Sequence, residues 1–466
     1  MIILRDYQGA IVDECATMFR EGVKSLLIQA PTGSGKTALA AEALRRAAAR
    51  GNRSLFVVHR RELIRQSVEA FSRIGLKHGI IAAGFPTSPG ALVQIAAVQT
   101  LVRRLGRVTP PKLIFWDEAH HCAAGSWQST YTAFPGACHI GLTATPQRLD
   151  GRGLRPWFKR LILGPTPRGL IDRGYLSDYR CFAPPGVNVD GMRVIAGDYA
   201  RNEMSIAADR PTITGSALEH YQRHAAGKRA IVFCCSIQHS LHVASQFAQA
   251  GISAAHVDGE TPAQARDEAM ERFRSGSLKV MCNVDLFGEG VDVPGIEAVI
   301  LLRPTKSLGL YLQQVGRSLR PAEGKTHAVI LDHAGNVERH GLPDDERHWS
   351  LDGRAEQADA AAVGPTRVKT CPSCFAVQRV GPPKCFSCGL PFPVKQREVD
   401  HVNGELRELD AEAIARKRQE RSRQQGAAET FEDLVDLGKS WGHRNPWMWA
   451  RHIFAARQRK KLQGAI

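Results

Sequence analysis

Residues 23–50, VKSLLIQAPTGSGKTALAAEALRRAAAR, join an apolar run to a glycine-rich loop and then to an alanine-rich segment. The apolar run predicts a buried strand, and the alanine-rich segment predicts a helix. Glycines let the backbone N–H groups of the loop turn toward a phosphate, which then faces the positive end of the helix. The alternative is a glycine-rich turn without a ligand, since Ala30 replaces the first glycine of the G-x-x-x-x-G-K-[ST] pattern. The flanking segments favour phosphate binding by Gly33, Ser34, Gly35, Lys36 and Thr37.

A phosphate loop of this kind needs a carboxylate at the end of a neighbouring parallel strand. In such a loop the lysine, here Lys36, contacts the β- and γ-phosphates, and the hydroxyl of Thr37 ligates Mg²⁺. IFWDEAHHC, residues 114–122, places two carboxylates directly after an apolar run. By itself this stretch also fits a transition-metal cluster. Beside the loop, we expect Asp117 to hold the water shell of Mg²⁺ and Glu118 to polarise the water that attacks ATP.

Apolar runs alternate with helical patterns in two parts of the chain, from residue 23 to about 146 and from about 229 to 334. This repeated order predicts an α/β fold with two domains, each built on a parallel sheet covered by helices. A turn-rich stretch separates the two parts, and an alanine- and acid-rich linker follows the second. The predicted strands are VKSLLIQA, SLFVV, ALVQIAAV, KLIFW and CHIGLTA in the first part, and RAIVFC, SAAHV, LKVMC, EAVILL and HAVILD in the second.

The formal net charge of +16 and the pI of about 9.6 favour an anionic partner, of which nucleic acid is the commonest. The alternative is that the arginine content reflects genomic composition. No apolar run approaches the roughly 20 residues needed to span a bilayer, and the N-terminus lacks the pattern of a signal peptide. We therefore expect a cytoplasmic, nucleoid-associated protein of bacterial or phage type, with no membrane partner.

Four segments in this order resemble one known superfamily: APTGSGKT, DEAH, GLTATP and, in the second domain, QQVGRSLR. Together they resemble the superfamily-two helicases and translocases, and most of all the DEAD/DEAH-type enzymes with the architecture of type III restriction subunits and UvsW-like phage helicases. The resemblance covers residues 2–334. It implies two tandem RecA-like parallel-sheet domains, an ATP-binding domain at 1–180 and a C-terminal helicase domain at 205–335, with ATP hydrolysed between them.

The resemblance also implies roles for individual residues. LRDYQ resembles the segment that contacts adenine, and CNVDLFGEGVDVP resembles the motif that contacts both ATP and the nucleic-acid backbone. QQVGRSLR resembles the motif that faces the interface and supplies arginine fingers, which we expected to lie on one face of a helix. The implied residues are Arg5, Gln8, Gly290 and Asp292 at the nucleotide; Arg317 and Arg320 as fingers; His120, Thr143, Thr145, Gln313 and Gln314 as coupling residues; and His59, Arg60, Gln99 and Thr100 at the nucleic acid.

Departures from the DEAD-type pattern favour DNA over RNA as the partner. The chain has DEAH rather than DEAD and TAT rather than SAT, and QRLDGRGLRPWF is similar to DNA-directed members. We identified no strand-separating pin, and no carboxylate-plus-lysine arrangement typical of a nuclease. The sequence therefore favours a DNA helicase or translocase. Two alternatives stay open: the motor subunit of a restriction or nuclease system, and an ATP-switched nucleic-acid adaptor without unwinding. A nuclease or a replication or repair protein is a possible partner.

Four cysteines near residue 380 form two C-x-x-C pairs: Cys371, Cys374, Cys385 and Cys388. Two matched pairs with ten residues between them are typical of a tetrahedral Zn²⁺ site. The segment is too small to fold on an apolar core alone, and four cysteine ligands leave no open position for catalysis. We therefore predict a structural zinc ribbon at 366–394, which could contact nucleic acid or protein.

A charged, helical, basic tail at 395–466 closes the chain, with ELDAEAIARKRQERSRQQ as an exposed helix bounded by Gly426. The segment WGHRNPWMWARHIFAARQRKK then combines tryptophans with basic residues. Its tryptophans, Trp441, Trp447 and Trp449, can stack on bases while Arg451, Arg457, Arg459 and Lys460 contact phosphates. The alternative is a small helical cap in which the tryptophans form the core.

Overall fold

A computed structural model of the chain describes residues 4–122, 125–148, 151–195, 197–286, 295–352, 367–393, 411–443 and 445–463. The chain divides into two units, Met1–Val394 and Lys395–Ile466. The first unit contains two parallel sheets, each of which forms the centre of a lobe. Among the described residues, no helix is long and apolar enough to cross a membrane.

The first lobe is built on a seven-stranded sheet in the order β3-β4-β2-β5-β6-β1-β7, with all neighbours parallel. Its central strands are buried along their whole length because helices cover both faces. The elements are α1 (Asp6–Arg20), β1 (Ser25–Gln29), α2 (Lys36–Ala49), β2 (Ser54–Val58), α3 (Arg61–Arg73), β3 (His78–Ile81), β4 (Val93–Ala97), α4 (Val98–Val102), β5 (Leu113–Trp116), α5 (Gly125–Thr132), β6 (Cys138–Thr143), β7 (Arg160–Leu163) and α6 (Pro167–Asp172).

The second lobe is built on a six-stranded sheet in the order β12-β13-β11-β14-β15-β8, again with all neighbours parallel. A short antiparallel hairpin, β9 and β10, precedes its first long helices. The elements are β8 (Tyr179–Phe182), β9 (Val194–Ile195), β10 (Asp198–Tyr199), α7 (Arg201–Ala208), α8 (Pro211–His224), β11 (Ala230–Phe233), α9 (Ile237–Gln249), β12 (Ala254–Val257), α10 (Ala263–Ser275), β13 (Val280–Asn283), β14 (Ala298–Leu301), α11 (Leu308–Ser318), β15 (Ala328–Asp332) and α12 (Asn336–His340).

All ten predicted strands are present, and the predicted fold class is confirmed. The strands β3, β7 and β8 were not predicted. β8 lies at the edge of the second sheet and pairs with β15, although its first two residues fall inside the range predicted for the first domain. The four predicted domain ranges stay predictions.

The four-cysteine segment lies against the edge strand β8. Its two short strands, β16 (Val368–Thr370) and β17 (Val377–Arg379), are antiparallel. The N–H of Ala183 donates to the carbonyl of Phe375 at 2.8 Å, so the segment covers the edge of the second sheet. Arg379 adds ion pairs at 3.0 Å to Asp344 and Asp345, whose side chains are buried.

The chain between the second sheet and the four-cysteine segment returns to the first lobe. Leu351 is buried there in one core cluster with Leu154 and Phe158. Its carbonyl accepts hydrogen bonds from the N–H groups of Leu154 at 2.8 Å and Arg155 at 3.0 Å. Arg155 and Asp352 form an ion pair beside it. The lobes are therefore connected by this returning segment as well as by the chain that leads into β8.

The second unit has three helices, α13 (Ala411–Ala427), α14 (Phe431–Ser440) and α15 (Pro446–Gln463). Its core is small: Leu434 and Ala450 are fully buried, and Trp449 packs against them. Thr430 and Asp433 form a capping box that starts α14. The predicted charged helix is present as α13, but Gly426 lies inside it and does not bound it.

Candidate active site

The loop between β1 and α2 has no room for side chains at its two glycines. Gly33 and Gly35 have φ angles of 84° and 81°, in the left-handed region that favours glycine. A Cβ at Gly33 would lie 2.8 Å from Cδ2 of Leu176, and one at Gly35 would lie 2.5 Å from Nε2 of Gln8. At these two positions the loop therefore presents backbone atoms rather than side chains, which is the arrangement that binding of a phosphate group requires.

Lys36 begins α2 and is influenced by charges from both lobes. Its Nζ donates to the carbonyls of Ala30 at 3.1 Å and Pro31 at 3.4 Å. Burial lowers the pKa of Lys36; the carboxylates of Glu118 and Asp117 oppose that shift, while two second-lobe arginines reinforce it. The predicted loop residues Ser34 and Thr37 flank this lysine, Ser34 buried and Thr37 half-buried in the first turn of α2.

Gln8 and Arg5 lie beside this loop. Nε2 of Gln8 donates to the carbonyls of Ser34 at 3.1 Å and Gly35 at 3.2 Å, while its Oε1 accepts from the N–H of Arg5 at 2.9 Å. The Arg5 guanidinium lies 4.4 Å from the ring centre of Tyr175. Tyr7, which the sequence analysis missed, donates its hydroxyl to the carbonyl of Ser34. Its place between Arg5 and Gln8 in LRDYQ was the available signal.

Asp117 and Glu118 follow β5, where the sequence predicts them. The N–H of Asp117 donates to the carbonyl of Val57 at 3.0 Å. Burial and the neighbouring carboxylate of Glu118 raise the pKa of Asp117 to about 7, against the opposing effect of Lys36. Glu118 has φ 51° and ψ 55°, a left-handed conformation that is uncommon for a residue with a side chain and concentrates at functional sites.

Four of the five predicted coupling residues contact one another or the carboxylate of Glu118. Nδ1 of His120 lies 3.5 Å from Oε2 of Glu118 and 3.3 Å from Oγ1 of Thr143. Thr143 in turn donates its hydroxyl to the carbonyl of Thr145 at 2.8 Å. From the second lobe, Nε2 of Gln313 donates to Oε2 of Glu118 at 3.4 Å. Gln314 is buried next to Gln313 on α11, and both residues line a cavity between the lobes.

Arg317 and Arg320 approach the loop from the second lobe. Arg317 is buried at the end of α11, and Cγ of Arg320 would lie 3.6 Å from a Cβ at Gly33. Burial lowers the pKa of Arg320. Our expectation of one helical face was wrong for Arg320, because α11 ends at Ser318 and Arg320 follows in the next turn. The predicted residues Gly290 and Asp292 lie outside the described residues.

Two glycines of α11, which the sequence analysis passed over, contact the first lobe. A Cβ at Gly316 would lie 2.6 Å from Cβ of Thr32, and one at Gly309 would lie 2.8 Å from Oγ1 of Thr145. The helix therefore approaches both the phosphate loop and the TAT segment more closely than a side chain would allow. Two glycines in one helix were the available signal.

A cavity of about 660 Å³ lies between the lobes next to these coupling residues. Its charged lining consists of six cations and two carboxylates, an excess that suits an anionic ligand. Of the predicted nucleic-acid residues, Arg60 lines this cavity. The carbonyl of His59 accepts a hydrogen bond of 3.2 Å from the side chain of Gln99, and Thr100 follows Gln99 in α4. The charged residues are Arg60, Arg148, Arg193, Arg201, Arg303 and Lys306, with Asp198 and Asp285.

The four predicted cysteines form one cluster. Their sulfur atoms all lie within 4.8 Å of one another, and the Cys371–Cys388 and Cys374–Cys385 pairs are 3.6 Å apart. A tetrahedral Zn²⁺ with Zn–S bonds of about 2.3 Å requires S···S separations of roughly 3.8 Å. The cluster therefore fits a zinc ion.

Comparison with known proteins matches both lobes to motor families. Residues 1–148 match the res subunit of type III restriction enzymes, and residues 214–322 match the helicase conserved C-terminal domain. A 51.5 kDa protein of a Lactococcus phage (isolate 7-9) is 36% identical over 394 residues, which cover 84% of each chain. The chain belongs to the superfamily-two helicases. Members of this superfamily hydrolyse ATP, so ATP use follows for this helicase chain.

More distant relatives agree with this membership. A proposed ATP-dependent helicase of Saccharomyces cerevisiae, IRC3, is 30% identical over 72% of this helicase, which spans only 52% of that protein. The DNA 3'-5' translocase XPB2 of Sulfurisphaera tokodaii is 25% identical, over 72% of this helicase and 83% of XPB2. A fragment of a proposed HsdR subunit of a type I restriction enzyme from Vibrio vulnificus YJ016 shares the fold, with a TM-score of 0.60, 24% identity and coverage of 74% and 67%.

Proposed function

We propose that this helicase is an ATP-driven DNA motor whose two lobes close on ATP and move along a strand. One observation carries the proposal: Glu118 of the first lobe contacts Gln313 of the second, beside Lys36, whose pKa is influenced both by first-lobe carboxylates and by two second-lobe arginines. A nucleotide that contacts both lobes gains binding energy from closure, and hydrolysis releases it. The similarity to the DNA translocase XPB2 and the basic cavity support DNA as the track.

In this proposal the first lobe binds the triphosphate and prepares the attack. The backbone from Gly33 to Thr37 encloses the phosphates, and Lys36 offsets their charge. Glu118 orients the attacking water and takes its proton. Thr37 and Asp117 would hold Mg²⁺, which would supply positive charge against the charge that develops during transfer.

The second lobe completes the site. Arg317 and Arg320 supply positive charge on the γ-phosphate side, which a single P-loop lobe rarely provides alone. Arg5 and Gln8 bind the adenine end of the nucleotide. The contacts among His120, Thr143 and Thr145 couple closure of the lobes to the residues that contact the DNA strand. Those residues are His59, Arg60, Gln99 and Thr100. The lobes then alternate their grip on the backbone.

Two alternative functions are also compatible with the sequence and the site. The matches to restriction-enzyme families favour a motor subunit that works with a separate nuclease. An ATP-switched adaptor needs the same site but little turnover. A protein partner from replication or repair, and a nucleoid-associated location in a bacterial or phage-infected cell, are parts of the proposal.

The deciding experiment measures ATP turnover of the full chain alone and with single-stranded DNA, duplex DNA or RNA. We expect DNA to raise turnover at least tenfold and RNA to raise it less. Glu118→Gln should lower DNA-stimulated turnover by about 10³-fold, because the water loses its base. Glu14→Gln, an exposed change on α1, is the matched control. Absence of stimulation by every nucleic acid would contradict the motor, and DNA binding without stimulation would favour the adaptor.

We also propose that the four cysteines hold one structural Zn²⁺. The fit of their sulfur separations supports this, and the segment they stabilise covers the edge strand β8. Metal analysis should give about one zinc per chain, lost on Cys371→Ser. Cys15→Ser, at a buried cysteine of α1, should retain the metal. Zinc that persists in the Cys371 variant would remove the assignment.

A further inference from the structure

The C-terminal unit contains a basic, aromatic cavity for which the proposed motor cycle has no use. Its volume is about 460 Å³, and no carboxylate is among its lining residues, all of which are described. Three arginines and three aromatic rings surround it, contributed by α13, by α15 and by the turn between α14 and α15. They are Arg418, Arg421 and Arg457, with Trp441, His443 and Trp449.

The aromatic wall is fixed before any ligand arrives. The His443 ring stacks on Trp449 with centroids 4.8 Å apart and planes 17° apart, and Trp441 meets Trp449 edge-on at 5.4 Å. Nε1 of Trp441 donates to Oε1 of Gln424 at 3.2 Å. Trp449 also packs against the small core of the unit. The alternative in which the tryptophans form the core of a small helical cap is therefore correct for one side of Trp449. His443 is exposed, and Trp441 is half-buried.

The arginines divide into two groups. Arg457 donates to the carbonyls of Ala428, at 2.6 Å, and Gln425, so it joins α15 to the end of α13. Arg421 lies over the Trp441 ring at 5.2 Å. Arg418 is exposed one turn earlier on the same face of α13. Arg418 and Arg421 are therefore available at the mouth of the cavity, beside the rings.

We propose that this cavity binds single-stranded nucleic acid, with bases stacked on Trp441 and His443 and phosphates paired with Arg418 and Arg421. Aromatic rings bind any base through its flat face, and that face is accessible only in an unpaired strand. A duplex can offer its phosphates but not its base faces. An acidic peptide would match the arginines and leave the ring surface without a counterpart. The site gives the protein a grip on unpaired strands that is independent of the proposed motor cycle.

The test compares two double variants of the full chain that remove equal charge from the same helix. Arg418→Gln/Arg421→Gln removes the two α13 arginines of the cavity, and Lys417→Gln/Arg423→Gln removes two exposed cations of α13 that do not line it. Both are made in the Glu118→Gln background without ATP, so that binding is measured apart from turnover. The probe is a fluorescent oligothymidylate, with a blunt duplex of equal length as the comparison.

The cavity variant should bind the oligothymidylate about tenfold more weakly and the duplex about as well as the parent. Because each phosphate contact contributes about 0.7 to the salt dependence for single strands, its slope of log K against log salt should fall by roughly 1.4. The Lys417/Arg423 control should retain the parent affinity. Equal losses in both variants, or none in either, would overturn the proposal. Absence of DNA-stimulated turnover in the wild-type chain is a separate outcome. It would reject the proposed motor without affecting the proposal for this cavity.

Discussion

The two lobes have the same kind of sheet but contribute to the nucleotide site in different ways. In the first lobe the site comes from chain segments that follow strands directly: the loop after β1 and the Asp117–Glu118 pair after β5. In the second lobe it comes from α11, which reaches the loop only because the lobes meet. We therefore expect the first lobe to bind a nucleotide by itself and the second lobe to affect its turnover after the proposed closure. Binding and turnover should be separable by lobe.

The sharpest test of this difference compares Lys36→Ala with Arg317→Ala. Both should lower DNA-stimulated turnover by about 10³-fold, since each removes a cation from the phosphoryl-transfer site. Only Lys36→Ala should also weaken ATP binding strongly, because only Lys36 belongs to the loop. Stopped-flow turnover and titration with a fluorescent ATP analogue provide the two measurements. Arg272→Ala, on the exposed side of α10, is the control. Equal losses of ATP affinity in both variants would refute the division between lobes.

The same difference explains what the sequence could predict. The phosphate loop, the DEAH segment and the cysteine pairs are each contiguous, so their chemistry follows from residue types at fixed spacing. The phosphate loop also has its strand and helix within 28 residues, 23–50. Contacts between lobes join segments that are far apart in the chain, such as Thr32 with Gly316. No local pattern encodes that proximity; only the resemblance of QQVGRSLR to an interface motif implied that this segment meets the first lobe.

Two further details were missed, the first because no local signal exists and the second although Pro321 supplied one. β8 is a single tetrapeptide, Tyr179–Phe182, which is too short to show a strand pattern and whose place in the second sheet is decided by its pairing with β15. Arg320 was expected on α11 because of its spacing from Arg317. The helix instead ends at Ser318, before Pro321, because the residue before a proline is disfavoured in the helical conformation.

A second prediction concerns how closely α11 approaches the first lobe. Gly316→Ala would bring a methyl group within 2.6 Å of Cβ of Thr32, so the helix or the loop must shift. A displacement of this order in a phosphoryl-transfer site should lower DNA-stimulated turnover by up to about 10²-fold. Gly215→Ala, inside α8 with nothing within 4 Å, is the matched control and should be stabilised by up to ~1 kcal/mol through helix propensity. Turnover and thermal unfolding should be measured on both. Normal turnover in the Gly316 variant would show that α11 does not need this contact.

The smallest expected effect is a difference in acid stability between the lobes. Burial lowers the pKa of His139 in the first lobe to about 4, and in the second lobe that of His224 and His239 to about 4 and of His333 to about 3. Unfolding lets these rings take up protons near their ordinary pKa of about 6.5, so each contributes stability that is lost as pH falls from there toward the folded value. Buried carboxyls act in the opposite direction: burial raises the pKa of Asp117 to about 7 and of Asp332 to about 6, so both favour the folded state as pH falls toward about 4.

Among these groups, one histidine is offset by one carboxyl in the first lobe, whereas three histidines are offset by one carboxyl in the second. The second sheet should therefore lose its protection first, at a pH higher by about half a unit. Hydrogen–deuterium exchange would report the loss of protection for each strand, if the protein is equilibrated at each pH and then labelled briefly at a common pH. His333→Leu removes one of the three titrating rings of the second lobe, from a site where neither ring nitrogen has a hydrogen-bond partner, and should reduce the difference between the two midpoints. If the first sheet opens first, or both open together in the parent, then the buried histidines do not decide which lobe is weaker in acid.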